Sequence, residues 1–328
     1  MVITKTPFRV SFFGGGTDYP VWFEKHGGAV LSTTIDKYCY ITIRHLPPFF
    51  EHKHRIIYSI IESVKSIHEI QHPVVRAVLD KFKIDTGVEI HHDADLPART
   101  GLGSSSSFTV GILNSLYALC GKAASPQKLA EEAIHIERDV LKETVGSQDQ
   151  IAVAYGGLNK IAFNNDHTYK IDPIPLKKER VHLLESHLML VFSGITRIAS
   201  KVASEKVSNI PTKEKELIRL QEMVDKAIDI INCDREITEF GELLNESWEI
   251  KRSLSKQVSN DHIDSIYANA LKSGALGGKI LGAGGGGFIL LFVPPEKREN
   301  VRRSLNGSLE VDFKFESNGS QIIYYHPQ

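Results

Sequence analysis

Leu96-Pro97-Ala98-Arg99-Thr100-Gly101-Leu102-Gly103-Ser104-Ser105-Ser106-Ser107 joins a loop of small residues to the start of an apolar helix. Past the serines, Phe108, Ile112, Leu116 and Leu119 recur at helical spacing, and Val110, Leu113 and Tyr117 fill much of the remaining circumference. Such a helix is expected to be buried, with its N-terminus rigidly held. A rigid helix start preceded by glycines suits an anion. Its first amides lack intrahelical partners, the peptide dipoles present their positive end, and glycine lets a phosphate approach the backbone. Serine hydroxyls can add contacts to phosphate oxygens or a metal. Two familiar phosphate signatures are absent: serines follow Gly103 where Gly-x-x-x-x-Gly-Lys-Ser/Thr needs lysine, and Gly-x-Gly-x-x-Gly fails at Ser106. A Ser-rich linker, or an N-cap with spare serines, remains the competing reading of this stretch alone.

The 328 residues can build a sizeable core in two lobes. A net charge of -1 gives no electrostatic footprint for nucleic acid or an anionic membrane. Met1 to Pro7 lacks the pattern of a signal peptide, and no apolar run is long enough to span a bilayer, so a cytoplasmic protein with a small-molecule partner is expected. Cys39, Cys120 and Cys233 are widely spaced and odd in number, which suits reduced thiols and no metal cluster.

Val2 to Phe13 is rich in β-branched and aromatic residues and runs into Gly14-Gly15-Gly16-Thr17-Asp18, a strand delivering a tight turn that can set Asp18 beside a ligand. Arg9 in that strand can face a phosphate or a carboxylate, or form a surface salt bridge. Ala29 to Leu46 reads as two strands meeting near Asp36-Lys37, Val74 to Phe82 as a short helix opened by Pro73, and Gly87 to His92 as a strand. Ser125-Pro126 starts a helix running to about Leu141 with Glu137 near its end. Asp149, within Gly146-Ser147-Gln148-Asp149-Gln150, is either functional or an N-cap. Leu158 to Phe163 reads as a strand, and His167 to Lys178 as the approach to a second lobe. His187 to Phe192 is the next strand, followed by helices at Lys213 to Ile231, Thr238 to Leu254 and Asp261 to Lys272 with solvated Lys/Glu faces. The glycine run Gly277 to Gly287 precedes the strand Phe288 to Val293, a setting for close packing against a ligand or neighbouring backbone rather than for a linker. A helix to about Leu305 and strands at Glu310 to Phe315 and Gln321 to Tyr325 are expected to complete the second lobe.

The segments Pro7 to Asp18, Leu96 to Ser107 and Gly282 to Gly287, with Asp149 between the second and third, resemble the GHMP kinases (galactokinase, homoserine kinase, mevalonate kinase, phosphomevalonate kinase) over nearly the whole chain. The resemblance implies a two-lobed α+β fold. Residues 1–175 would form an N-terminal ribosomal-protein-S5-like lobe with a left-handed β-α-β unit and the ATP loop, and 176–328 a C-terminal ferredoxin-like lobe. It implies ATP at Pro97, Gly101, Leu102, Gly103, Ser104, Ser105 and Ser106, and Mg2+ on Ser105 and Glu137. Asp149 would be the catalytic base with Arg9 beside it, and Gly15, Gly16, Thr17, Asp18, Gly146, Gly284 and Gly285 would meet the sugar. Ser106-Ser107 departs from the alanines of many members.

Gly14-Gly15-Gly16-Thr17-Asp18 stands where galactokinases have Gly-Glu-His-Thr-Asp, and is similar to the turn in kinases of D-glycero-D-manno-heptose 7-phosphate and, more distantly, of L-fucose. Gly27 to Leu31, Thr34 to Tyr38, Phe192 to Arg197 and Glu246 to Leu254 are similar to the heptose enzymes as well. That branch implies phosphorylation of the anomeric hydroxyl, on the route to nucleotide-activated heptose for bacterial surface polysaccharide. A 7-phosphate needs cations, for which Arg197, Lys201 and Lys37 are the candidates. The rival readings are a neutral-sugar 1-kinase and a non-catalytic sugar sensor. The expected partners are a sugar phosphate and ATP, not nucleic acid or membrane; a homodimer is left open.

Overall fold

The computed structural model describes residues 1–196, 199–233, 235–305 and 307–327, with the backbone alone at 199–201 and 206. The strands are β1 (Val2–Phe13), β2 (Gly28–His45), β3 (His54–Ile57), β4 (Ile61–Val64), β5 (Val88–Ala94), β6 (Leu158–Phe163), β7 (Tyr169–Pro173), β8 (Leu188–Phe192), β9 (Gly277–Ile280), β10 (Phe288–Phe292), β11 (Glu310–Val311), β12 (Phe315–Glu316) and β13 (Gln321–Tyr325). The helices are α1 (Pro20–His26), α2 (Pro73–Lys81), α3 (Ser104–Leu119), α4 (Pro126–Ile134), α5 (Gln148–Tyr155), α6 (Lys178–His187), α7 (Ala199–Asn209), α8 (Glu214–Asn232), α9 (Thr238–Ser253), α10 (Asp261–Lys272) and α11 (Arg298–Ser304).

Burial along β1 alternates from Val2 to Lys5 and is continuous from Thr6 onward, as expected of a strand whose far end is covered on both faces. It packs against α3 and α5 of its own lobe and against α8 and α9 of the next. The first sheet runs in the order β13-β1-β2-β5-β3-β4, with β6 and β12 also paired to β2 and β7 to β6. The expected pair of strands at 29–46 is one strand, β2. Its first half pairs with β6 and its second with β5, and at the change of partner the register of β1 jumps from Pro7 opposite Tyr38 to Phe8 opposite Ile35. Asp36 and Lys37 bulge out there, which is the break visible in the sequence. Asp36 then holds the returning C-terminal chain: its amide donates to Lys314 O at 3.0 Å and its carboxylate accepts from Lys314 N at 2.8 Å.

The second sheet is antiparallel in the order β11-β8-β10-β9. With helices between β8 and β9 and α11 between β10 and β11, this is the β-α-β-β-α-β ferredoxin-like arrangement implied by the resemblance. The two C-terminal strands do not complete it as expected. Only Glu310–Val311 joins it; β12 and β13 cross back to pair with β2 and β1, because strand sequence alone does not say which sheet edge it will satisfy. The stretch read as a connection holds β7, the hairpin partner of β6, and the chain adds helix α6, which the sequence pattern does not mark. Helix α6 buries only Leu184 and His187, too little to leave a periodic signal. The lobes share a core: Phe12 and Phe13 meet Phe240 of α9 edge-to-face at 5.5 and 5.1 Å, and Phe240 meets Phe292 of β10 at 6.0 Å. Among the described residues the cysteines are unpaired, and no helix is long and apolar enough to cross a membrane.

Candidate functional site

Helix α3 is buried from Ser106 to Ala118, as its all-round apolar sequence requires, and its N-cap is Gly103 in the left-handed region (φ 74°). No side chain caps it, so the first-turn amides of Ser104, Ser105 and Ser106 are not spent on a cap. The loop before it is sewn to β1: Leu102, fully buried, accepts from Arg9 N at 3.0 Å, and Ser107 Oγ donates to Pro7 O at 2.8 Å. Pro97 is exposed and accepts from the Thr100 hydroxyl at 2.8 Å.

The third glycine segment presses on this loop from the second lobe. A Cβ at Gly101 would lie 2.5 Å from Leu281 O, one at Gly282 2.6 Å from Gly101 Cα, and one at Gly287 2.3 Å from Thr100 O. Phe288 N also donates to Thr100 O, at 3.0 Å. Close backbone packing therefore accounts for these glycines. Gly284 and Gly285 are a correction to the expected sugar contacts. Both are buried against Val258, whose carbonyl accepts from Gly285 N at 2.8 Å and would meet a Gly284 Cβ at 2.6 Å.

Arg9 and Asp149 come together beneath the start of α3. Arg9 Nε donates to Asp149 Oδ1 at 2.8 Å, Nη2 to Oδ2 at 2.7 Å, and Nη1 to Gly101 O at 2.6 Å. The surface salt bridge considered for Arg9 is excluded, since its side chain is 3% exposed; Asp149, at 27%, is the open partner. A Cβ on Gly103 would stand 3.2 Å from Arg9 Cγ and 3.5 Å from Asp149 Oδ2, which places the pair directly against the helix N-terminus. Asp149 lies in the first turn of α5 but caps nothing. Gln148 Nε2 donates to Asp149 Oδ1 at 3.1 Å and is itself held by Ser11 Oγ at 2.6 Å.

Glu137 sits in a π-helical turn, His135–Val140, that continues α4. Such turns re-aim side chains and are frequent at functional sites. It is fully buried; burial pushes its carboxyl up to about 7 against the opposing pull of hydrogen-bond donors including Gln150 and Ser106. Ser106 Oγ donates to Glu137 Oε2 at 3.0 Å and Gln150 Nε2 donates to the same oxygen. Glu137 Oε1 and Gln150 Oε1 are buried without a hydrogen-bond partner. The serine beside Glu137 is thus Ser106; Ser105, the expected metal partner, is exposed on the first turn. One residue along a helix is a rotation of about 100°.

The turn after β1 brings Asp18 to Gly146. A Cβ on Gly146 would stand 1.9 Å from Asp18 Oδ2, Asp18 Oδ1 accepts from Gly16 N at 3.0 Å, and Asp18 O accepts from Ser147 N at 3.0 Å. The expected ligand contact at Thr17 is corrected: its hydroxyl is buried, lying 2.8 Å from Gly14 O and 2.9 Å from Ala29 O and accepting from Ala29 N. Gly14 is required by packing, since a Cβ would lie 1.9 Å from Ala29 O, whereas a Cβ on Gly15 would meet nothing within 4 Å. Tyr19, missed in the sequence, is a neighbour of both carboxylates: burial first, then Asp18 and Asp149, push its phenol above its ordinary value. Lys37 Nζ is turned to Asp36, 3.3 Å from both its carbonyl and carboxylate oxygens. Arg197 and the side chain of Lys201 lie outside the described residues. Sequence reading also missed Gln148, Gln150 and Lys251. The available signals were the amides flanking Asp149 and a lysine on the buried stripe of Phe240, Leu244, Ser247 and Trp248.

Among the described residues no group of three His, Cys, Asp or Glu could hold a metal. The orphaned Glu137 Oε1 and the adjacent Ser106 hydroxyl nevertheless suit a hard cation that takes its remaining ligands from phosphate and water.

Family models match the chain in both lobes: GHMP kinases N terminal domain over residues 68–157 and GHMP kinases C terminal over 216–310. The D-glycero-alpha-D-manno-heptose 7-phosphate kinase of Campylobacter jejuni is 31% identical, over 96% of this chain and 97% of its own. The bifunctional fucokinase/GDP-fucose pyrophosphorylase of Arabidopsis thaliana is 27% identical over 94% of this chain, which spans 31% of that protein's length. In fold, the chain resembles a D-glycero-D-manno-heptose 1-phosphate kinase from Bacteroides thetaiotaomicron, with a TM-score of 0.81 at 24% identity over 99% of this chain and 100% of that one.

Glu137 makes stability depend on pH. Its carboxyl rises from 4.5 to about 7 on folding, so its contribution is fully present below about pH 4.5 and is lost as pH rises through about 7. Relative to Glu137→Gln, the wild-type protein should lose up to about 3 kcal/mol between pH 4.5 and pH 8, read by urea unfolding across that range. A difference that does not change with pH would contradict the neutral buried carboxyl.

Proposed function

We propose that this chain, which belongs to the GHMP kinase family, transfers the terminal phosphoryl group of ATP to the anomeric hydroxyl of D-glycero-D-manno-heptose 7-phosphate. It is a phosphotransferase acting on a sugar hydroxyl, and ATP is the family's donor. The observation that carries the reading is the Arg9–Asp149 pair: a carboxylate held at both oxygens and 27% exposed, against an uncapped helix start. The identity to the Campylobacter enzyme along nearly the whole of both chains favours the heptose phosphate. The fucokinase relative keeps a neutral sugar as the second reading.

In this reading the amides of Gly103 to Ser106 cradle the ATP phosphates and oppose the charge of the transferring group. Ser106 and Glu137, with its orphaned oxygen, would hold Mg2+. When bound, that ion supplies charge neutralisation on the phosphates. Asp149 orients the sugar O1 and takes its proton; an anomeric hydroxyl is more acidic than an ordinary alcohol, so a carboxylate suffices. Arg9 keeps the carboxylate in one orientation and offsets the oxyanion that forms. Open space at Gly15 leaves room for the sugar beside Asp18 and Gly146. Arg197 and Lys201 are the proposed anchors of the 7-phosphate, in a protein proposed to work in the cytoplasm.

The test is ADP release from Mg-ATP with the heptose 7-phosphate, the dephosphorylated heptose, mannose, L-fucose and galactose. Preference for the heptose phosphate is expected. Turnover with a neutral sugar alone would discard the 7-phosphate reading, and no turnover with any sugar would favour a sensor. Asp149→Asn should lower kcat roughly 10²–10⁴-fold while calorimetry shows ATP affinity within a few-fold of wild type. A fully active variant would reject Asp149 as the base.

A further inference from the structure

Two lysines lie where lysines are rarely found. Lys251, at the end of α9, is 5% exposed, and Lys279, in β9, is 3% exposed. Burying an ammonium is costly unless hydrogen bonds replace its water, and here backbone carbonyls do so. Lys251 Nζ donates to Ile280 O and Gly282 O, both at 2.7 Å. Lys279 Nζ donates to Phe12 O at 2.6 Å.

The carbonyls they hold are specific in place. Ile280 and Gly282 flank Leu281, whose own oxygen and whose neighbour Gly282 form the close contact with Gly101. Gly101 O in turn accepts from Arg9 Nη1, the guanidinium that holds Asp149. Ile280 O lies in the peptide plane before Leu281 and Gly282 O in the plane after Gly282, so Lys251 holds the planes on both sides of the Leu281–Gly282 peptide and thereby restrains how the second lobe presses on the phosphate loop. Phe12 lies two residues before Gly14, so Lys279 ties the same second-lobe segment to the strand end that delivers the Gly14 to Asp18 turn.

We propose that Lys251 and Lys279 are positioning residues for the kinase reaction: through the segment 279–282, Lys251 positions the phosphate loop and Lys279 the sugar turn. Neither touches the reacting atoms. The inference rests on the kinase reading, and its first arm does not need the acceptor to be known.

Lys251→Met, Lys279→Met and a control, Val301→Ala, which truncates a buried α11 side chain that makes none of these hydrogen bonds, are compared with wild type. Thermal unfolding monitors the fold, calorimetry the Mg-ATP Kd, and steady-state kinetics the acceptor KM. Lys251→Met is expected to raise the Mg-ATP Kd at least tenfold with acceptor KM within twofold. Lys279→Met is expected to do the reverse, and Val301→Ala to lower the melting temperature while leaving both constants in place. Folded lysine variants with unchanged constants, or a control that shifts them equally, would overturn the proposal. Should the methionine variants not fold, hydrogen exchange of the wild-type protein decides. Mg-ATP is expected to protect 280–287 together with 99–104, and protection confined to 99–104 would refute the coupling. A wild type that binds Mg-ATP but turns over no sugar defeats the substrate reading, while the Kd of Lys251→Met still judges Lys251.

Discussion

The Arg9 guanidinium, almost wholly buried, donates to both oxygens of Asp149 and to the carbonyl of Gly101, and the positions of the surrounding elements follow from that arrangement. Removing either partner would leave a charge in a site with little water to replace it, a loss of about 3–5 kcal/mol for a buried pair, reduced here because Asp149 is partly open. Strand β1 must carry Arg9 to the N-terminus of α3, and α5 must present its first turn from the other side. Glycine suits position 103 because its φ of 74° is left-handed, and a Cβ there would press on Arg9 Cγ at 3.2 Å. The result is a fixed carboxylate beside the positive end of a helix, where an acceptor hydroxyl and a phosphate can meet.

The second lobe supports this centre through its backbone. Leu281, Gly282 and Gly287 back the phosphate loop at separations only glycine permits, and Phe288 adds a hydrogen bond to Thr100. The shared aromatic core of Phe12, Phe13, Phe240 and Phe292 keeps that contact from sliding. On the opposite side, the π-helical turn carries Glu137 into a fully buried position where one oxygen accepts two hydrogen bonds and the other has no partner. A satisfied acceptor beside an orphaned one suits a group meant to change partners when a cation arrives.

Much of this was legible because it is written in local chemistry. The apolar circumference of α3, the glycines at its start, the strand entering the Gly14 to Asp18 turn and the proline-led helices each follow from short-range rules. What was misread needed three dimensions. A two-residue bulge made one strand look like two, and the choice of sheet for β12 and β13 depends on which edge is vacant. Choosing between Ser105 and Ser106 depends on helix rotation, which an apolar sequence all round α3 does not reveal. Thr17 carries an exposed-type side chain that the fold spends on Ala29, and Gly284 and Gly285 serve Val258, a residue that no spacing connects to them. Lys251 was assigned to a solvated helix face because charge outweighed its place on the buried stripe.

Phosphorus NMR of the product formed from Mg-ATP and the heptose 7-phosphate reads which sugar hydroxyl receives the phosphate, the C1 hydroxyl in the proposed reaction. The expected result is a second phosphoester resonance coupled to the anomeric proton, with the 7-phosphate resonance retained. A new resonance coupled to any other sugar proton, or no incorporation under conditions where Mg-ATP binds, would contradict it.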